Sequence, residues 1–145
     1  MKNTIISLFS VLMFALVARV AEAAPEVDVS IQIIHGSKSE AGFGGPARRY
    51  QKQLERAGFK GGQVLDTVTA ANRSVGSSVE LRFKDEAKSE RKIKVTVLDV
   101  SGSTVKLQIE IPDYKFKTST THRDGGTLLT VLPGHNLALV VWPGK

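Results

Sequence analysis

The chain has 145 residues, a net charge of +6 at neutral pH and no cysteine. The lack of cysteine excludes disulfides, thiol catalysis, cysteine metal sites and lipid attachment through an N-terminal cysteine. The positive charge favours acidic partners, namely lipid headgroups, cell-wall polymers or nucleic acid, but it does not define a site.

The first 23 residues have the order of a secretory signal peptide. Lys2 precedes an apolar run from Ile5 to Ala18, and an Ala-Glu-Ala segment at 21–23 places small residues where a signal peptidase reads. The run is too short to cross a bilayer comfortably. We therefore expect a bacterial protein exported to the periplasm, or alternatively to the medium. The expected mature part is a single compact domain over 24–145 without a transmembrane span.

The mature chain begins with a predicted strand, a loop and a helix. Apolar and polar residues alternate from Val27 to His35, as in a half-buried strand. A loop rich in Gly and Ser comes next. Pro46 fits the first position of a helix, and Gly58 fits its end. Phe59 is placed to pack back against this helix.

After Gly62 the sequence predicts strands and turns. The predicted strands cover 64–70, 79–83, 93–98, 105–111, 116–121, 128–132 and 137–142. The last strand is apolar on both faces, so we place it centrally in a sheet. The predicted fold is α+β, with one N-terminal strand and helix followed by a mainly antiparallel β-sheet. That sheet forms a sandwich or a partly open barrel.

Basic side chains are frequent in the predicted helix and in the predicted hairpin over 82–94. If the two groups share a face, they form a surface that attracts anions. The hairpin has no interleaved aromatic residues for base stacking, which argues against nucleic acid as the partner. The candidate anion-binding residues are Arg48, Arg49, Lys52, Arg91 and Lys92.

A Thr-rich strand lies between Pro112 and the glycines at 125 and 126. An exposed edge strand of this kind offers unpaired backbone groups to a strand of a partner. The candidate edge-strand residues are Lys117, Thr118, Ser119, Thr120 and Thr121.

The sequence contains no recognised catalytic motif. His35, His122 and His135 lack the spacing of metal ligands, and the serines do not form a nucleophile elbow. The segment 42–47 matches G-x-G-x-x-A but does not directly follow a strand, and βαβ repeats are lacking. We therefore predict no catalytic residue, metal site or cofactor.

Four segments carry a resemblance to a known family. They are YQKQLERAGF at 50–59, VGSSVELRF at 75–83, IKVTVLDVSGSTVKLQIEIP at 93–112 and GGTLLTVLPGHNLALVV at 125–141. With the signal peptide, they resemble a family of short exported bacterial proteins whose function is not known. The resemblance covers nearly all of the mature chain and implies export, but it implies no activity.

These features support three functional hypotheses. The first is a non-enzymatic module of the cell envelope that binds another envelope protein, or an anionic envelope polymer, through a sheet face or edge. The second is a polyanion-binding protein that uses the basic helix and hairpin. The third is a small exported hydrolase, which requires a pocket that joins a histidine to a carboxylate and a hydroxyl.

Overall fold

The computed structural model describes residues 25–144, so the predicted signal peptide lies outside the described residues. The described part is mostly β. Its strands are β1 Glu26–Ser37, β2 Gly42–Phe43, β3 Gly61–Ser74, β4 Ser78–Lys84, β5 Glu90–Ser101, β6 Thr104–Ile111, β7 Phe116–Arg123, β8 Leu128–Leu132 and β9 Leu137–Gly144.

The predicted helix is present but shorter than expected. A 3₁₀ segment over Gly45–Tyr50 leads directly into helix α1, Gln51–Arg56, and a second 3₁₀ turn covers Pro112–Tyr114. The 3₁₀ segment starts without a side-chain cap or an acidic residue in its first turn, so its first N–H groups lack the usual stabilisation. Gly58 ends the helix at φ 95°, as predicted. The α+β class therefore applies only loosely to this mostly β fold.

The strands form two sheets. The first sheet has the order β2-β3-β1-β9-β8, and the second has the order β4-β5-β6-β7. Neighbouring strands are antiparallel, except that the short β2 runs parallel to β3. The central position predicted for the last strand is confirmed, because β9 lies between β1 and β8. The strands predicted over 93–98 and 105–111 are also present, and they pair as the antiparallel hairpin β5–β6.

The two sheets share one apolar layer, which we call the inner core. Alternate residues of β1 and β9 contribute from the first sheet, and alternate residues of β5 and β6 contribute from the second. The buried members are Val27, Val29, Ile31, Ile33, Phe83, Ile93, Val95, Val97, Val105, Leu107, Ile109, Ile111, Leu132, Leu137, Leu139 and Val141. The period of two therefore places one face of each strand in the shared core.

The 3₁₀ segment and α1 together form what we call the helical segment, residues 45–56. A second, smaller apolar layer lies under it, on the other side of the first sheet. We call it the outer core, and its buried members are Ile34, Phe43, Ala47, Leu54, Phe59, Ala138 and Val140. The neighbours Ile33 and Ile34 of β1 face opposite layers, as successive residues of a strand do. The register shift at this point adds one residue, Leu65, to the paired strand β3. The first sheet is therefore buried on both sides around β9.

The helices in the described part of the chain are short. None of those within residues 25–144 has the length and apolar character needed to cross a membrane.

Candidate functional site

The helical segment covers only part of the outer face of the first sheet. Beyond it, the side chains on that face are mainly polar. The strand pairing places Ser30 of β1 between Trp142 of β9 and Thr69 of β3. The Ser30 and Thr69 hydroxyl oxygens are 3.2 Å apart, within hydrogen-bonding distance. We call this uncovered region the open face.

A cleft of about 540 Å³ lies where the open face meets the helical segment. We call it the Trp142 cleft. Its walls come from β1, β9, the 3₁₀ segment and the residue before β8. The lining residues are Gln32, Gly45, Pro46, Arg49, Tyr50, Thr127 and Trp142.

The Trp142 cleft combines aromatic surface with hydrogen-bonding groups and a cation. Trp142 and Tyr50 are half-buried, whereas Arg49 is exposed. Aromatic rings supply a large contact area, and Arg donates several hydrogen bonds in a fixed plane. The Gln32 amide can donate and accept. A lining that combines aromatic rings with convergent polar groups has the components of a ligand site.

The helix cations predicted from the sequence lie on this side of the molecule. Arg48 uses its Nε–H to donate a hydrogen bond to the Phe43 carbonyl at 3.4 Å. Arg49 lines the Trp142 cleft. Lys52 is exposed on α1 and lines a separate surface groove with both arginines.

The hairpin cations lie elsewhere. Arg91 and Lys92 are consecutive in β5, so they point to opposite faces of the second sheet. Lys92 lies on the exposed outer face, 3.7 Å from the Glu80 carboxylate. The inner core lies on the other side of this sheet, and the first sheet lies between that core and α1. The structure therefore does not bring the two basic groups onto one face.

Arg91 belongs to a cluster of charged and aromatic groups at one end of the two sheets, which we call the Arg91 network. Its Nε donates a hydrogen bond to Asp85 Oδ2 at 2.9 Å, and its Nη1 lies 3.8 Å from Asp113 Oδ2. Its guanidinium lies 5.4 Å from the centre of the Tyr114 ring, which packs against His135 at 4.5 Å. These contacts connect the β4–β5 loop, the second 3₁₀ turn and the β8–β9 turn.

The pKa values in this network are set by those contacts. The hydrogen bond from the Ser89 N–H, together with that from Arg91, lowers the pKa of the Asp85 carboxyl. The hydrogen bond to Asp85 raises the pKa of Arg91. Burial raises the pKa of the Tyr114 phenol. The Arg91 network therefore holds a charged pair beside a neutral ring.

A second cleft of about 830 Å³ adjoins the network and contains a histidine, a carboxylate and a hydroxyl. His35 Nε2 lies 2.6 Å from Glu86 Oε2. Ser37 Oγ accepts a hydrogen bond from the Glu40 N–H at 2.9 Å. The hydrogen bonds found among residues 25–144 do not join Ser37 to His35. Within the described residues, this cleft therefore shows no hydrogen bond by which His35 would activate the Ser37 hydroxyl.

Within residues 25–144, the acidic and histidine side chains do not converge in the way that a metal site needs. No group of three or more His, Asp or Glu side chains in the described part of the chain has the geometry to hold a metal ion.

The Thr-rich strand predicted as an edge is β7, the last strand of the second sheet. Lys117, Ser119 and Thr121 are exposed, whereas Thr118 is half-buried and Thr120 is buried. Among the described residues, β7 is paired in its sheet with β6 alone. Its outer backbone edge therefore carries the unpaired groups expected of an edge strand.

His122 has a structural position that the sequence did not indicate. It is 1% exposed, and its Nδ1 donates a hydrogen bond to the Gly126 carbonyl at 2.8 Å, because a carbonyl only accepts. Its Nε2 lies 2.8 Å from the Thr120 hydroxyl. In the neutral ring Nε2 accepts from that hydroxyl. His122 therefore fixes the turn between β7 and β8.

Sequence patterns identified Arg49 but missed Gln32, Tyr50 and Trp142. Gln32 and Trp142 were assigned only to strands, and Tyr50 only to a helix face. A usable signal was present, because Trp142 is the only tryptophan of the chain and ends an otherwise aliphatic strand. The convergence of these residues depends on pairing between β1 and β9, which are far apart in sequence.

No family model, no curated protein and no solved structure matches this chain.

Proposed function

We propose that this protein is an exported, non-enzymatic binding module of the bacterial cell envelope that holds its partner on the open face, at the Trp142 cleft. The observation that carries the proposal is the convergence of Arg49, Tyr50, Gln32 and Trp142 on one cleft of about 540 Å³. Convergent polar groups beside aromatic rings favour specific binding. The proposed export rests on the signal-peptide pattern and on the family resemblance.

The open face supports this role better than the two basic groups acting together. Lys92 is already paired with Glu80, and Arg91 with Asp85. A surface ion pair leaves little net charge for an external anion. The helix cations lie on the other side of the molecule, next to the Trp142 cleft. A polyanion would therefore bind at the helix rather than across both groups.

Strand addition at β7 is a second candidate function. It is favoured by the position of β7 at the end of the second sheet. A partner strand there would pair with the backbone and leave the Trp142 cleft empty. Lys117 and Arg123 are exposed on this strand, however, and charged side chains on an edge oppose such pairing.

Site-specific photocrosslinking in the host cell tests the two surfaces separately. A benzoylphenylalanine residue replaces Thr67 on the open face, Ser119 on β7, or Lys106 as the control. All three side chains are exposed, and Lys106 lies on β6 in the second sheet. We expect an envelope component to be captured at Thr67 and not at Lys106.

Two results would contradict the proposal. Capture at Ser119 without capture at Thr67 would assign the partner to the β7 edge. Equal capture at all three positions would indicate non-specific association rather than a binding module.

A further inference from the structure

The Trp142 cleft opens onto a surface that extends well beyond it. Trp142, Ser30 and Thr69 form one row across β9, β1 and β3 on the open face. Neighbouring strands are about 4.8 Å apart, so this row spans about 10 Å. Gln32 and Thr67 form the adjacent row across β1 and β3. A ligand that starts in the cleft can therefore continue over a track of hydroxyl and amide groups.

The positive charge is concentrated at one end of this track. Arg49 lines the cleft, and Arg48 and Lys52 lie on the same helical segment. Asp28 lies on the far part of β1, where its Oδ1 accepts a hydrogen bond from the Asn72 N–H at 2.8 Å. A guanidinium pairs with a carboxylate through two parallel hydrogen bonds. An acidic group of the ligand is thus favoured at the helical end.

We propose that the ligand of the Trp142 cleft is a carboxylated glycan, that is, an acidic polysaccharide chain or a fragment of one. This inference rests on the proposed function and names the class of partner. Arg49 pairs with the sugar carboxylate, and the Trp142 ring packs against a pyranose face. Gln32, Ser30 and Thr67 bind hydroxyl groups of the same and neighbouring sugar units.

A sugar unit can contact both the aromatic ring and the polar side chains of the cleft. The face of an aromatic ring is negative, so it attracts the slightly positive C–H groups of a pyranose. Sugar hydroxyls both donate and accept, as do the Gln32 amide and the hydroxyls of Ser30 and Thr67. Beyond the cleft the open face is mainly polar, whereas the residues that anchor a protein partner are buried in well-packed, desolvated pockets.

The test uses the fluorescence of Trp142, because it is the only tryptophan of the chain and therefore reports on the cleft alone. The purified protein is titrated with three polymers of similar length. They are polygalacturonate, its fully methyl-esterified form, and poly-L-glutamate. We expect a saturable change in Trp142 emission with polygalacturonate, and affinities at least tenfold weaker for the other two polymers.

Matched variants test whether the named residues bind polygalacturonate. Arg49→Gln removes the cation of the cleft and is expected to weaken polygalacturonate binding about tenfold, the size of one charge-assisted hydrogen-bonded pair. Arg123→Gln makes the same change on the exposed side of β7 and should alter the affinity by less than about twofold. Trp142→Phe, measured by calorimetry, retains a ring and should weaken binding about fivefold.

The outcomes separate this inference from the proposed function. If poly-L-glutamate binds as tightly as polygalacturonate, the cleft recognises only charge. If the methyl ester binds as tightly as polygalacturonate, the carboxylate is not recognised. Either result overturns the inference. If none of the three polymers changes Trp142 emission while a crosslinker at Thr67 captures a protein, the glycan is wrong and the binding module stands. If both experiments are negative, the proposed function fails as well.

Discussion

Gly36 of β1 lies directly beneath the ring of Phe59, which is three residues beyond the end of the helical segment. A Cβ atom on Gly36 would overlap the Phe59 ring. Phe59 is 3% exposed and belongs to the outer core. The contact therefore fixes the helical segment, and with it Arg49 and Tyr50, against the first sheet.

The change Gly36→Ala is expected to destabilise the fold by about 1–3 kcal/mol, because the added methyl group forces the Phe59 ring out of its place. Urea unfolding measures the loss. Gly44→Ala is the matched control, since Gly44 has φ −91° and no atom within 4 Å of an added Cβ. Equal losses in both variants would show that the Phe59 contact is not responsible.

The Arg91 network should make stability depend on pH in acid. The pKa of Asp85 is lower in the folded protein than its ordinary value of 3.8, so the unfolded chain binds a proton first as the pH falls. The stability that Asp85 contributes is therefore complete above about pH 4 and is lost below it, as the pH passes through the folded pKa. Urea midpoints at pH 7 and pH 3 should differ more for the wild type than for Asp85→Asn. A pH dependence unchanged by the substitution would contradict this account.

Lys115 occupies a left-handed backbone conformation, with φ 51° and ψ 38°. This conformation costs a residue with a Cβ roughly 1–2 kcal/mol, and glycine avoids most of that cost. Lys115→Gly should therefore stabilise the protein by about 0.5–1 kcal/mol in urea unfolding. Lys115→Ala keeps the Cβ and serves as the control, with no gain expected. A gain in the alanine variant would assign the effect to the lost charge instead.

The buried His122 should be important for stability rather than for binding. His122→Ala leaves the Thr120 hydroxyl and the Gly126 carbonyl without their partner and creates a cavity, at an expected cost of about 2–4 kcal/mol. His135→Ala loses only an exposed contact with Tyr114 and should cost about 1 kcal/mol or less. Thermal unfolding followed by circular dichroism compares the two. Similar losses would contradict the structural role of His122.

Local patterns predicted the strands well. The alternation in β1 and the two-faced apolar character of β9 correctly indicated a half-buried strand and a central one. The alternation did not reveal that Ile34, on the otherwise polar face of β1, is buried as well. In the structure Ile33 faces the inner core, and the helical segment covers Ile34 in the outer core.

The candidate site could be predicted only in part. Arg49 was identified from local charge, which needs no knowledge of pairing. Its neighbours Gln32 and Trp142 come from strands more than 100 residues apart in sequence, and only their pairing in the first sheet brings them together. For the same reason, the sequence did not reveal that Arg91 and Lys92 lie away from the helix cations.

The position of β9 has a consequence for how the chain acquires its structure. This strand follows all the other described strands in the sequence, yet it lies between β1 and β8 and contributes to both apolar layers. Until residues 137–144 are available to pair, β8 has no neighbour in its sheet and the surface beneath the helical segment is incomplete. The first sheet therefore cannot be completed by the earlier strands alone, and its folding depends on contacts between segments more than 100 residues apart.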